Sequence, residues 1–467
     1  MPGLSDRLKR LKGHQVSRNA SWILAGQGSN FFLQALSFLL LARLLGVTEY
    51  GIFSGAFALI SLATPYSALG AGMLFMRYVT ADRSQAAVYW GNTLLVTTVM
   101  SLLIATIFFL FGPSIAHTQS RLIFFVLAIA NCLFGQIAEM GSYVFQTFEK
   151  MRFTALLGLL SSLGRLSVLL IMRATLHHAT AVQWSCGILI ASGVAATLSL
   201  IWVRKETGPI AFNVGLIWRR AAEGLGFSFA GTTQNAYNDI DKTMLSHYGL
   251  NRENGFYSLA YRIVDFSTTP IVAIDSAVLP RLFQLSQKDM SRTIRVAFRS
   301  AGVAALLGMV IAIVLRWIAP LVLHLFPTGF AGALTALRWL CWLPALRGIH
   351  RLTGGALTGS GRQSLRTASQ FTVAGMNFLL NLWWLPAFGW IGSAWASVAS
   401  DGALAFFNSA LLLWVWHSRS RKGTGTGMLE QAGNHLARDL RPTSPTNGKG
   451  CRAIVGLYPS LRLTLGG

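Results

Sequence analysis

Long apolar segments alternate with short polar segments along almost the whole chain. A helix needs about 20 largely apolar residues to cross the hydrocarbon core of a bilayer. The pattern therefore predicts an all-α multi-pass membrane protein with about 12 transmembrane helices. These twelve predicted spans lie at residues 20–43, 50–72, 88–111, 121–147, 153–173, 180–203, 224–248, 255–281, 294–320, 333–357, 366–387 and 389–416.

The two ends of the chain have a different composition. Residues 1–19 are polar and basic, and residues 417–467 are rich in Gly, Pro, Ser and Thr, a composition typical of disorder. The first apolar segment is too long for the core of a signal peptide and has no convincing cleavage site after it, so it predicts a retained first span.

Composition and charge agree with a membrane protein. The chain is 53% hydrophobic and only 12% charged, and its formal net charge is +23. Most of the 39 Lys and Arg residues fall in the two termini and in alternate loops. Because basic residues concentrate on the cytoplasmic side of a membrane, this distribution places both termini in the cytoplasm. It explains the positive charge without a nucleic-acid partner.

An internal repeat divides the predicted spans into two sets of six. A shift of 204 residues aligns Gly51–Arg77 with Gly255–Arg281 without a gap, and it also aligns Asn30 and Gln34 with Gln234 and Asn238. We therefore expect an N-lobe at 20–203 and a C-lobe at 224–416, joined by a cytoplasmic linker at 204–223. Six is an even number, so both lobes insert with the same orientation. Their pseudo-two-fold axis then runs along the membrane normal, with a cavity between the lobes.

Several segments resemble the Wzx-type oligosaccharide flippases, in the superfamily that also holds the MATE exporters and the lipid II flippase. The segments are "ARLLGVTEYGIF", "NDIDKTMLSHYG…GFYSLAYRI", "AVLPRLFQL", "GALTGSGR" and "NFLLNLWWLPAFGWIGSAWAS". The resemblance implies a bacterial inner-membrane protein that moves an undecaprenyl-diphosphate-linked oligosaccharide to the periplasmic leaflet by alternating access. It also implies membrane lipids as surroundings, with a polysaccharide polymerase and a chain-length regulator as expected partners.

The eighth predicted span carries charges that its repeat counterpart lacks. Arg262, Asp265 and Asp275 align with Ala58, Ser61 and Ala71, so the fold itself does not require them. Ionisable groups inside a membrane are costly and face a cavity or one another. Arg262 and Asp265 are three residues apart and either form an ion pair or belong to the transport path.

The seventh predicted span contains a polar strip. Gln234, Asn238 and Asp241 follow one helix face, and Lys242 is three residues from Asp239. Such a strip cannot face lipid, where unsatisfied polar groups are expensive. It is either a cavity wall that binds sugar hydroxyls and a phosphate, or a polar contact between helices.

Further cations lie inside the spans. Arg347 and Arg351 are four residues apart with no acid between them, which favours an anion such as a diphosphate nearby. The alternative is that they snorkel to the surface or bond to acids on neighbouring helices. Arg165 either pairs with Glu139 or faces the lumen as a cation.

Intramembrane acids can also relay ions. Asp239, Asp241, Asp265 and Asp275 are the candidates for coupling to a proton or sodium gradient. The sequence predicts no other cofactor and no metal site. It contains no phosphate-binding loop, G-x-S-x-G or HExxH motif, so we expect a transporter rather than an enzyme. A drug exporter and a scaffold of a glycan-assembly complex are the alternatives.

Overall fold

The computed structural model describes residues 4–118 and 120–439, and no β-strand occurs in that part of the chain. A π-helical stretch, Ile129–Gly135, joins α4 to α5. The α-helices are α1 Leu4–Ser67, α2 Ala71–Ala81, α3 Ala86–Ile115, α4 Arg121–Ala128, α5 Gln136–Thr147, α6 Met151–Thr175, α7 Ala181–Thr207, α8 Val214–His247, α9 Asn251–Ser267, α10 Thr269–Lys288, α11 Met290–Leu323, α12 Ala333–Leu340, α13 Leu343–Gly359, α14 Gln363–Phe388 and α15 Trp390–Asp439.

The described helices account for the predicted spans. Eight helices are long and apolar enough to cross a membrane, and the number rises to ten when each of two bent helix pairs is counted as one span. Helix α1 contributes two spans, because Gly46 has a positive φ of 71° and breaks it. The Phe38 and Tyr50 rings on either side of this break are 6.2 Å apart. Twelve residues of straight helix would separate them by about 18 Å, so the chain reverses direction at Gly46.

Helix α8 is the remaining predicted span. It has 34 residues, which is long enough to cross a bilayer, but it is more polar than the other long helices. This polarity comes from the strip that contains Gln234, Asn238 and Lys242. Because this polar strip is poorly suited to lipid, α8 packs against other helices, mainly α1 and α14.

The two lobes meet in a symmetric contact. A β-carbon on Gly51 would overlap the carbonyl oxygen of Asn251, and a β-carbon on Gly255 would overlap that of Val47. These four positions are two repeat-related pairs, so each lobe offers the same surface to the other, as expected about a two-fold axis. An apolar cluster that includes Phe38 and other residues from both lobes continues the contact. The predicted arrangement of two lobes is confirmed.

The linker between the lobes is shorter than the predicted 204–223. Helix α7 continues to Thr207 and ends at Gly208, whose φ is 74°. Helix α8 begins at Val214, because the Asn213 side chain accepts a hydrogen bond from the Leu216 amide and caps it. The linker is also fixed to α3 by a reciprocal pair of hydrogen bonds between Asn92 and Asn213, at 3.0 and 2.9 Å.

Two bends shape the C-lobe. The pair α9 and α10 is bent by 44°, and the segment Thr328–Leu340, which contains α12, is bent by 48° against α13. A proline opens α10 and another opens α13, positions where the missing N–H costs no hydrogen bond. The bends bring the charged residues of α9 and α13 towards the same space.

Residues 1–412 form one compact unit, and a second unit begins at Leu413. Helix α15 extends to Asp439, so the predicted boundary near residue 417 is not a break in the helix. The predicted disorder of residues 417–467 stays a prediction, and residues 440–467 lie outside the described residues.

Candidate functional site

Two cavities lie side by side where the lobes meet. The N-lobe cavity, of about 660 Å³, is lined mainly by residues of α1, α5, α6 and α7. The C-lobe cavity, of about 330 Å³, is lined mainly by residues of α8, α9, α13 and α14. Both volumes lie in or near the range of ligand pockets. A common wall separates them and consists of Tyr50, Phe53, Phe57, Asp239 and Arg262.

Most of the residues predicted from the sequence line these cavities. Arg165 lines the N-lobe cavity, and Asp239 and Arg262 line both. The C-lobe cavity also holds Gln234, Asn238, Lys242, Asp265, Arg347 and Arg351. Residues that are distant in sequence are thus assembled into one region.

Asp241 and Asp275 line neither cavity. Asp241 is buried and accepts hydrogen bonds from the Tyr257 hydroxyl at 2.5 Å and the Ser397 hydroxyl at 3.0 Å. It therefore joins α8, α9 and α15. Asp275 lies 4.0 Å from Arg351.

Arg347 contacts two carboxylates on other helices. It donates a hydrogen bond to Asp265 at 2.7 Å and lies 3.5 Å from Asp401. The suggested ion pair between Arg262 and Asp265 is not formed, because Asp265 reaches Arg347 instead. Arg347 and Arg351 each face a carboxylate on another helix, which matches the second of the two sequence interpretations. A buried cation requires such partners.

Asp401 is a lone acid in the apolar segment 389–416, and the sequence assigns it no partner. Its side chain is almost completely buried, and its second oxygen lies 3.2 Å from His350 Nε2. Helix α13 thus presents Arg347 and His350 to one carboxylate of α15. The sequence signal for this arrangement is only a lone acid in an apolar segment, which does not identify its partner.

Lys242 is held at the inner wall of the C-lobe cavity. Its ammonium group donates to Asp239 at 2.6 Å and lies 4.6 Å from the centre of the Tyr261 ring. Asp239 also accepts a hydrogen bond from Ser61 of the N-lobe at 3.1 Å. Asp239 therefore links the two lobes as well as balancing Lys242.

Three cations at the cavities have no ion-pair partner within 4.0 Å among the described side chains. Arg165 and Arg262 face the N-lobe cavity from opposite lobes. Of the two possibilities from the sequence for Arg165, the pair with Glu139 is not formed, and the side chain lines the cavity as a cation. Arg366 donates to the Thr358 hydroxyl at 3.1 Å. The sequence did not single out Arg366, because this residue lies in the first turns of its span and counts there as a cytoplasmic charge.

The C-lobe cavity is rich in basic residues, two of which, Arg262 and Arg366, have no acid partner among the described side chains. Five basic residues line it, against the two acids Asp239 and Asp265; the five are Lys242, Arg262, Arg347, Arg351 and Arg366. Arginine forks match the oxygens of phosphate groups. In the described part of the chain, no group of three or more His, Cys, Asp or Glu side chains could hold a metal ion. The arrangement fits a multivalent anion.

A model of the family described as "Polysaccharide biosynthesis protein" matches residues 16–286, more than half of the chain. The chain belongs to this family. The match runs from α1 to α10 and includes Arg165, Lys242 and Arg262. The resemblance to the Wzx-type flippases, stated from the sequence motifs, is confirmed.

Solved structures with the same fold support this family member's architecture. An inward-facing multidrug resistance MATE transporter is 13% identical, with a TM-score of 0.67 over 84% of this chain and 96% of that one. The lipid II flippase MurJ, in an inward closed conformation, is 12% identical, with a TM-score of 0.66 over 84% and 86%. Identities this low show the fold alone. No curated protein matches the chain.

Proposed function

We propose that this polysaccharide biosynthesis family member moves an undecaprenyl-diphosphate-linked oligosaccharide from the cytoplasmic to the periplasmic leaflet of a bacterial inner membrane. Access to the cavities would alternate between the two sides, with both termini in the cytoplasm. The observation that carries the proposal is the cavity at the junction of the lobes, lined by five cations and only two acids.

The chemistry of the substrate fits this cavity. A charged side chain near the centre of a membrane costs at least about 2.5 kcal/mol, so a cluster of cations must serve a purpose that offsets this cost. A diphosphate offers two or more negative charges and several acceptor oxygens. Arg262 and Arg366, which lack carboxylate partners among the described residues, are free to bind it.

Export of the glycan unit would serve the synthesis of a surface polysaccharide such as an exopolysaccharide, a capsule or O-antigen. A polysaccharide polymerase and a chain-length regulator would then act on the delivered unit. This placement rests on the family membership of the chain and on its helices that are long and apolar enough to cross a membrane.

A drug exporter is the alternative transport function, and it shares this fold. Arg262 and Arg366, which have no acid partner among the described side chains, argue against a cationic drug as the cargo, because they would repel it. A scaffold of a glycan-assembly complex would not need this cavity.

Ion coupling is a separate part of the proposal. Asp239 and Asp265 face the C-lobe cavity, so an ion entering the cavity can reach them. Asp241 and Asp275 lie outside both cavities and would act only if the helices around them separate. Substrate-dependent proton or sodium flux in proteoliposomes, present in the wild type and absent in Asp265→Asn, is the expected result. Transport that is indifferent to both gradients would contradict coupling.

The transport proposal is tested by reconstitution. Wild-type protein in liposomes should move a fluorescent undecaprenyl-diphosphate oligosaccharide between leaflets, and Arg262→Gln should lose most of this activity. Arg262 is preferred to Arg347 as the test residue, because Arg347 is buried against two carboxylates and its removal would also affect folding.

Arg281→Gln is the matched control, because Arg281 lies in the same bent span, is exposed and lines neither cavity. It should transport like the wild type. A wild-type protein that moves no lipid-linked glycan would contradict the proposed function. Full activity in Arg262→Gln would move the anion site to Arg366 and Arg351.

A further inference from the structure

The two cavities differ in chemistry as well as in size. At the C-lobe cavity, Arg262 and Arg366 have no acid within 4.0 Å among the described side chains, and both lining acids are paired with cations. At the N-lobe cavity, the two cations without such a partner, Arg165 and Arg262, are accompanied by the unpaired acid Glu139. The remaining polar side chains of the N-lobe cavity are neutral amides and hydroxyls. They include Asn30, Gln34, Asn131, Ser161, Ser162 and Ser192.

Neutral amides and hydroxyls are suited to a neutral ligand that is rich in hydroxyl groups. Each sugar hydroxyl both donates and accepts hydrogen bonds, so it can satisfy either kind of partner. A diphosphate only accepts, and it is attracted by net positive charge. The two cavities thus favour the two chemically different parts of a lipid-linked glycan.

Two polar atoms beside the N-lobe cavity lack a hydrogen-bond partner among the described atoms. The side-chain oxygen of Asn30 and the indole nitrogen of Trp184 are buried and have no hydrogen-bond partner among the described atoms. One is an acceptor and the other a donor, and both residues line this cavity. Buried polar groups are rarely left unpaired in folded proteins, so these side chains are expected to turn towards the cavity when a ligand with hydroxyl groups occupies it.

The aromatic wall adds an apolar surface beside these polar groups. Phe53 lies between Phe57 and Trp184, with ring centroids 5.9 and 6.3 Å away. A sugar ring has apolar C–H faces and polar edges, so it can pack on such a wall while its hydroxyls reach the amides. The larger volume of the N-lobe cavity also suits the larger part of the substrate.

We infer that the N-lobe cavity is the glycan subsite and that the C-lobe cavity is the diphosphate subsite. Arg262, in the common wall, lies at the junction and binds the phosphate nearer the sugar. This inference rests on the proposed function, because it assigns the two parts of that substrate to two places.

The internal repeat supplies a matched pair of variants. Asn30 and Gln34 of the N-lobe cavity align with Gln234 and Asn238 of the C-lobe cavity. Asn30→Ala/Gln34→Ala and Gln234→Ala/Asn238→Ala therefore remove one Asn and one Gln from equivalent positions of the two lobes. The binding of two probes to purified protein in detergent is compared: undecaprenyl diphosphate, and undecaprenyl diphosphate carrying N-acetylglucosamine.

The wild type should bind the sugar-bearing probe more tightly than the bare lipid diphosphate. The N-lobe double variant should lose roughly tenfold in affinity for the sugar-bearing probe only, as expected for two lost hydrogen bonds. The C-lobe double variant should keep the wild-type ratio between the two probes. Arg262→Gln should weaken the binding of both probes by a similar factor.

The outcomes distinguish a failure of the proposed function from a failure of the subsite inference. If the wild type binds neither probe, the proposed function fails. If it binds both equally, or if the C-lobe variant rather than the N-lobe variant loses the sugar preference, the subsite inference alone is overturned. Trp184→Phe removes the indole N–H donor together with part of the ring and should also reduce the sugar preference, which keeps the test available if the double variant unfolds.

Discussion

The N-lobe and the C-lobe follow the same path through the membrane with different side chains at equivalent positions. Where the C-lobe has Arg262 and Asp265, the N-lobe has Ala58 and Ser61. The C-lobe places Lys242 beside its cavity, and the equivalent Phe38 packs into an aromatic cluster with Phe266 and Phe326. The backbone arrangement thus depends on apolar packing and close helix contacts, and the charges were free to diverge.

The two lobes also differ in whether their charged side chains form ion pairs. In the C-lobe, the cations Lys242, Arg347 and Arg351 face carboxylates. In the N-lobe, Arg165 and Glu139 line one cavity without pairing. The acids of the C-lobe therefore have a structural role that the N-lobe acid Glu139 lacks. Variants of these acids can test this difference.

The largest effect is expected from Asp401→Ala. This carboxylate is buried against Arg347 and His350, and its loss leaves Arg347 with Asp265 as its remaining acid. Breaking one side of a buried ion pair typically costs about 3–5 kcal/mol, so the free energy of unfolding in detergent should fall by that order. Arg292→Ala, which removes an exposed pair with Asp289 and leaves Asp289 in place as the cap of α11, is the control and should cost about 1 kcal/mol or less. Equal losses would contradict the structural role of Asp401.

The next effect concerns the symmetric contact between lobes. Gly51→Ala and Gly255→Ala each place a methyl group against a carbonyl oxygen of the other lobe. Overpacking of this kind costs about 1–3 kcal/mol, and the two variants should be similar because the positions are repeat-related. Thermal unfolding in detergent measures the loss. Gly302→Ala, where nothing lies within 4 Å, should leave the unfolding temperature unchanged or raise it slightly. A large loss of stability in only one of the two variants would contradict a symmetric contact between the lobes.

Arg366→Gln tests the cation that the sequence analysis missed. Its loss should weaken the binding of inorganic pyrophosphate roughly tenfold, as for one charge-assisted hydrogen bond. The fold should be little affected, because Arg366 bonds to a neutral hydroxyl of Thr358. Arg362→Gln, at an exposed position just before the same helix, should bind pyrophosphate like the wild type. Unchanged binding in Arg366→Gln would remove this residue from the diphosphate site.

The sequence predicted the fold well because its signals are local. Apolar length identifies each span, and the gapless repeat identifies the two lobes. It also predicted that Gln234, Asn238 and Lys242 avoid lipid, since polarity alone decides that. The partners of Arg347 could not be predicted, because Asp265 and Asp401 are distant in sequence and meet it only through the packing of three separate helices. The predicted linker, 204–223, is longer than the observed one, because the polar residues at its two ends are helical.

The smallest effect is expected from Glu139→Gln in the N-lobe. Glu139 accepts a hydrogen bond from Gln136 at 3.1 Å and faces the N-lobe cavity, where water can solvate it. It has no cation within 4.0 Å among the described side chains, so a neutral side chain of the same shape should change the free energy of unfolding by about 0.5 kcal/mol or less. A loss comparable to that of Asp401→Ala would mean that Glu139 does have a structural partner. Unchanged stability with lost transport would instead place this acid in ion coupling, and the N-lobe would then share the coupling role proposed for the acids of the C-lobe.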